Sequence, residues 1–248
     1  MRAHSFGQTA YPFQNAHVNL ANCLVNLQDW PSAGTVIPNE TPNYPTYDAI
    51  PHANRYVLQS TGASSFTNDG ATDGIRIPGQ TAPVENIANI TVEIGVYLTS
   101  RSDYTYLLSK GGASSAGWCL ALYPTNTLSL IRFDNNGTSH INWIMPNGSF
   151  TAGNFYDIQF TQALGVFGTA PVVHINGVPQ TPTMANTGSA STYHTDASYD
   201  FIIGNNDWLG SGGPSITVYF ARIYNAILST ATLLTNFFAD RWRFGQVF

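Results

Sequence analysis

Only three glutamates occur in the chain, Glu40, Glu85 and Glu93, and none has a second acid two residues along. Glycoside hydrolysis needs two carboxyl groups flanking one bond, and alternate positions on a strand would place them on one face. The spacing therefore argues against glucanase-type chemistry and predicts that the chain is not an enzyme. Glu93 lies between Val92 and Ile94, which reads as a polar-face position on a strand. The six histidines, His4, His17, His52, His140, His174 and His194, are scattered, and no G-x-S-x-G, H-E-x-x-H or P-loop pattern is present. His174 follows strand alternation and is expected to face solvent or a partner.

Binding chemistry has more candidates. Sugar recognition needs an aromatic platform for C–H groups beside amides and carboxylates for hydroxyls. Trp208, next to Asn205, Asn206 and Asp207, has that composition, and Tyr104 can join it. Trp118 and Trp143 are better placed in a core. The glycine-rich run after Trp208 suits a subunit contact equally well. Hard cations need several converging oxygens, so Asp134 with Asn135 and Asn136, and Asp207 with its two asparagines, are candidates for Ca²⁺ if their loops meet at one end of the molecule. The same residue types also favour ordinary turns. No other cofactor is expected. The sequons at Asn39, Asn89, Asn136 and Asn147 are expected by chance in a chain rich in Asn, Ser and Thr.

Composition bounds the partners. Of 248 residues only 9% are charged, the net charge is −5, and Lys110 is the single lysine. No basic stripe exists, which excludes the usual footprint of nucleic-acid binding. No apolar run is long enough to insert into a membrane, and the first twenty residues lack the apolar centre of a secretory signal. Cys23 and Cys119 fit no metal spacing, and Cys119, inside an apolar run, is expected to be a buried free thiol.

These residues must be positioned by strands. Ile90, Val92, Ile94, Val96 and Leu98 alternate with Thr91, Glu93, Gly95 and Tyr97, the period of a half-buried strand. Trp118–Leu122, Leu128–Leu130, Tyr156–Phe160 and Val173–Ile175 repeat the pattern, and 216–224 is apolar on both faces, as a central strand is. Asn136-Gly137, Asn147-Gly148 and Asn176-Gly177 supply two-residue hairpin turns. Ser229 can cap a helix that turns Leu233, Leu234, Phe237 and Phe238 toward a core.

Residues 1–55 differ. Prolines at this density disfavour central strands, yet Phe6, Tyr11, Phe13, Leu20 and Trp30 are apolar. The segment reads as an extended N-terminal arm that lies on a neighbouring subunit, with 18–27 as an alternative short helix. Trp242 and Phe244 near the C-terminus are further assembly-contact candidates, or alternatively an internal anchor.

Five segments in order resemble the concanavalin A-like lectin/glucanase superfamily, in its laminin-G-like branch, over about residues 57–240. They are FTNDGATDGIRIP at 66–78, LLSKGGASSAGWCLAL at 107–122, VVHINGV at 172–178, IIG at 202–204 and RIYNAILSTATLL at 222–234. The resemblance implies an all-β, two-sheet antiparallel jelly-roll sandwich at 56–248 with one short C-terminal helix. It also implies a rim at which relatives hold Ca²⁺ through loop oxygens.

The functional expectation that follows is a non-catalytic component of a larger assembly. A virus or phage particle protein (capsid decoration, tail or fibre-associated) is expected, located in the virion. It would be a homo-oligomer touching other protein subunits, with loops available to contact glycans. The alternative is a free, extracellular carbohydrate-binding lectin, and a glycoside hydrolase comes third.

Overall fold

The computed structural model describes residues 18–27, 50–52, 55–58, 64–68, 74–77, 87–100, 105–111, 117–123, 127–133, 140–146, 150–164, 168–187, 196, 199–204 and 215–244. Among them, strands build two antiparallel sheets that face each other, and one helix covers the outer side of the first sheet. In the first sheet the order is β13 (Val178–Gln180), β12 (Val172–Ile175), β11 (Asn154–Ala163), β6 (Asn89–Ser100), β16 (Ser215–Tyr224), β4 (Ser64–Asn68) and β3 (Arg55–Leu58). The far edge of β16 is shared: β4 pairs with Ile216–Val218 and β1 (Cys23–Leu27) with Ala221–Tyr224. The second sheet runs β14 (Thr183–Thr187), β10 (His140–Ile144), β9 (Thr127–Phe133), β8 (Trp118–Tyr123), β7 (Thr105–Lys110), β15 (Phe201–Ile203), β5 (Gly74–Ile77) and β2 (Ile50–His52).

Side-chain alternation assigns the faces. Ile90, Val92, Ile94, Val96 and Leu98 of β6 point between the sheets, together with Tyr156, Ile158 and Phe160 of β11. They meet Leu120, Leu128, Leu130 and Phe201 from the second sheet, and Trp118 packs edge-on against Phe160 at 5.6 Å between centroids. Trp118 and Trp143 are core residues, as expected, and removal of this apolar area from water is the main stabilising term. Both cysteines are free and buried, Cys119 on the outer side of the second sheet with Ile131 and Phe133.

Asn176 and Gly177, both at positive φ (52° and 73°), turn β12 into β13 as the dipeptide predicts. The other two Asn-Gly pairs lie outside the described residues. The helix α1 (Thr230–Phe244) starts where Ser229 predicts, its Oγ accepting the Thr232 amide at 3.2 Å.

Residues 23–27, in the middle of the expected extended arm, form an internal strand with every side chain buried. They do not form the alternative helix, because the amides and carbonyls left open along β16 are satisfied by a strand. The pair of strands within 66–78 also departs from a simple hairpin: β4 joins the first sheet and β5 the second.

Candidate functional site

The loops that carry the expected sugar and ion contacts lie outside the described residues. These include Tyr104, Asp134, Asn205, Asn206, Asp207 and Trp208, as do Phe6, Tyr11, Phe13 and Trp30 of the arm. The strands that hold the loops are described, and their register decides which loops share an end. β6 ends at Ser100 opposite Ser215, the first residue of β16, and β15 leaves the sheet through Gly204, whose amide donates to Leu107 near the start of β7. The strand ends that flank 101–104 and 205–214 are therefore neighbours. β9 runs the other way: Phe133 donates its amide to Gly117 beside the finish of β7. Phe133 thus lies at the opposite end of the second sheet from Gly204. The expectation of Ca²⁺ at Asp134 and Asp207 falls on residues outside the described ones. Among the described residues no group of three or more His, Cys, Asp or Glu side chains could hold a metal ion.

A second cluster was not foreseen. It is built between the outer face of the first sheet and α1. The helix leaves β16 through a turn at 225–229 and runs back across the sheet. Leu233, Phe237 and Phe244 on its inner side are buried, and so are Asn236 and Asp240. Facing them are Glu93 of β6, Asp157 and Gln159 of β11, Arg222 and Tyr224 of β16, and Asn26 of β1, all essentially without solvent exposure.

Arg222 organises the cluster. Its two terminal nitrogens each donate to one Asp240 oxygen at 2.6 Å, a bidentate pair, and Nη1 also reaches Glu93 at 3.4 Å. Nε donates to Asn26 Oδ1 at 3.1 Å, and the guanidinium lies 4.4 Å from the Phe220 ring centroid. Burial alone would lower the Arg222 pKa, but the Asp240 carboxylate against it outweighs that and holds it well above its ordinary value, so the guanidinium stays charged. Glu93 accepts from the Tyr224 hydroxyl at 2.9 Å, from Asn236 Nδ2 at 2.8 Å and from Gln159 Nε2 at 3.3 Å. Burial pushes the Glu93 carboxyl above its ordinary value, opposed by Arg222 and reinforced by Asp240. It raises the Tyr224 phenol too, with Glu93 adding to the effect. Asn236 ties in the segment before β1, since its Oδ1 accepts the Asn19 amide at 2.8 Å.

One reading from the sequence is extended here and one is corrected. Glu93 does occupy the polar face of its strand, but that face is covered by a helix. His174, expected to face solvent or a partner, is only 1% exposed on β12, opposite Gln159. Burial lowers its pKa, so it is held neutral. The signal that could have revealed the cluster is in α1: Asn236 and Asp240 fall on the same helical stripe as Leu233 and Phe237. Polar residues on a core-facing stripe need polar partners below them.

Of the remaining contact candidates, Leu20 is half-buried. Phe244 is 2% exposed, stacked on Phe220 at 5.5 Å between centroids and edge-on to Tyr219. Its ring is enclosed by its own chain, which removes it from any assembly surface. Trp242 projects outward at 59% exposure on the last turn of α1, beside Arg241 and Arg243. The helix runs antiparallel to β16, so this turn lies toward the end of the sandwich where β6 finishes at Ser100 and β16 starts at Ser215.

No family model and no curated protein sequence matches the chain. Solved structures do. A Trypanosoma rangeli sialidase in complex with the inhibitor DANA superposes with a TM-score of 0.65 at 17% identity, over 94% of this chain and 35% of the sialidase. The same sialidase in complex with 2,3-difluorosialic acid, as a covalent intermediate, gives 0.63 at 17%, over 91% and 34%. The receptor-binding domain of a botulinum neurotoxin C/D mosaic serotype gives 0.62 at 11%, over 87% and 51%. The chain thus spans about a third of the length of the sialidases and about half of the toxin domain. At these identities the likeness shows the fold, a β-sandwich.

The expectation that the chain is not an enzyme is corrected by these neighbours. The same sandwich occurs within glycoside hydrolases, one of them captured as a covalent intermediate. Lack of a glucanase-type carboxylate pair therefore does not set the chain apart from hydrolases.

Proposed function

We propose that the chain is a lectin-like carbohydrate-binding module of the concanavalin or laminin-G type. The observation that carries the reading is its superposition, over nine-tenths of its length, on parts of sialidases and a toxin receptor-binding domain. Fold alone does not fix function, but the register adds a second support. It brings the stems of the Tyr104 and Asn205–Trp208 loops to one end, where the residue types suit sugar stacking and hydroxyl recognition. This reading places the chain outside the cell. The virion, phage and capsid reading draws no support from the fold or from the neighbours, and the alternative lectin reading replaces it. Contact with other subunits, through Trp242 or the arm, is a separate proposal for this surface.

The test is a glycan array followed by titration calorimetry on the positive sugars. Binding lost in Trp208→Ala, with the melting temperature unchanged, supports the loop site. An array with no binding above background overturns the reading.

A second reading is that the chain contributes to glycoside hydrolysis. The sialidase neighbours favour it, though only about a third of their length is matched. Release of fluorophore from a fluorogenic sialoside by the purified chain, abolished by heat, supports it; no release above buffer removes it.

A further inference from the structure

The cluster under α1 contains three carboxyl groups, Glu93, Asp157 and Asp240, and a single guanidinium, Arg222. Arg222 engages Asp240 and Glu93. Asp157 is different. It is fully buried, and neither of its carboxyl oxygens has a hydrogen-bond partner. Two positions along the same face of β11, Gln159 presents its Oε1, also buried and also without a partner. The orientation of that amide is fixed, because Nε2 donates to Leu233 O at 2.9 Å and to Glu93 Oε1 at 3.3 Å, and both are acceptors. Turning the amide over would set oxygen against oxygen. The result is three acceptor atoms on one stretch of strand with no donor between them, in a place where an unpaired charge is costly.

Charged and titratable groups surround the site from every packed element. Glu93 comes from β6, Arg222 and Tyr224 from β16, Asp240 from α1 with Arg243 acting on it, His174 from β12, and Cys23 from β1. His174 is held neutral and supplies no compensating charge. A proton on Asp157 both reduces the excess of negative charge and supplies a donor where there was none.

We propose that Asp157 is carried as a neutral carboxylic acid, and that its proton is part of the latch docking α1 on the first sheet, so that docking weakens as pH rises. The energetics agree in direction: burial, then Asp240 and Glu93, push the Asp157 carboxyl well above its ordinary value of 3.8, with Arg222 opposing. The folded chain therefore retains a proton that the unfolded chain releases. The stabilisation is fully present below the ordinary aspartate range and is lost progressively as pH climbs toward the folded value.

Two measurements on the full chain test the idea. Carbon-detected NMR of the wild-type protein, with Asp157 assigned by the signal missing in Asp157→Asn, is expected to show a neutral carboxyl at neutral pH. Denaturant unfolding across the same range is expected to show the wild-type unfolding constant rising relative to Asp157→Asn by about tenfold per pH unit until Asp157 ionises. An ionised Asp157 signal at neutral pH overturns the proposal even if the variant fails to fold. Parallel pH profiles for the two proteins overturn it as well. So does a wild-type stability that tracks sodium or potassium concentration instead of pH, because the compensating cation would then be a metal ion.

Discussion

Arg222 is the residue on which the helix–sheet seam depends, and its environment sets what substitutions do. Asp240→Ala leaves a buried guanidinium without its bidentate partner, and the expected loss is about 3–5 kcal/mol in urea unfolding. Replacing both partners with apolar residues, as in Arg222→Met with Asp240→Leu, removes the charges together and is expected to recover much of that loss. If the double variant is as unstable as Asp240→Ala, the pair is not the source of the effect. Gly95 presents a different constraint. A Cβ there would sit 2.3 Å from Phe220 Cε1, and Phe220 is held by its stack on Phe244. Gly95→Ala is expected to lower stability by about 1–3 kcal/mol, with partial recovery when Phe220→Leu is added, measured by thermal melting. The thiols give a third test. Burial pushes both Cys23 and Cys119 up to about 12, partly countered at Cys23 by Arg222. Since the thiolate is the reactive form, neither should react with a disulfide reagent in the native protein at neutral pH, and both should react in denaturant.

At the scale of elements, α1 is capped by Ser229 and the β12–β13 hairpin is turned by Asn176 and Gly177, and each element can be weakened by itself. Ser229→Ala removes the acceptor for the Thr232 amide, with an expected cost of about 1 kcal/mol by chemical denaturation. Gly177 sits at φ 73°, and a Cβ would meet the Phe237 ring at 2.8 Å. That contact links the turn to the helix packed above it. These two signals were readable in the sequence because they are local: a hydroxyl before an apolar stripe, and a dipeptide that tolerates positive φ. The inner face of β6 was readable for the same reason, since alternation at Ile90–Leu98 names one face as apolar. What covers the other face was not readable. Alternation marks Glu93, Asp157 and His174 as polar-face residues, and an open sheet and a helix-covered sheet give the same pattern. Nor does composition reveal that β1, inside a proline-rich segment, completes the edge of β16. That pairing rests on a hydrogen-bonding vacancy created almost two hundred residues away.

For the molecule as a whole, the register of the strands shows which strand ends lie together, where the sequence could only group residues by type. Phe133 and Gly204 lie at opposite ends of the second sheet, while the strand ends at Ser100, Gly204 and Ser215 lie together, with Trp242 on the helix turn toward that end. The fold alone could thus be anticipated from patterns, whereas which strand ends lie together needed the pairing of Ser100 with Ser215 and of Gly204 with Leu107. If this end is the sugar site, Trp242→Ala is expected to weaken glycan binding severalfold in calorimetry while leaving the melting temperature unchanged, because its ring contributes little buried area. An unaffected affinity would confine the site to the loops.

The shared edge of β16 also bears on how the chain is made. β4 fills one half of that edge and β1 the other, and Asn26 reaches Arg222 across 196 positions. On a ribosome, Cys23–Leu27 emerges early and must wait, unpaired, until Arg222 and then Asp240 have been synthesised. A buried apolar segment held open for that interval invites pairing with other nascent chains. Slow maturation is therefore expected, and refolding of the full chain after dilution from denaturant should be slower than that of a circular permutant that places Cys23–Leu27 after Phe244.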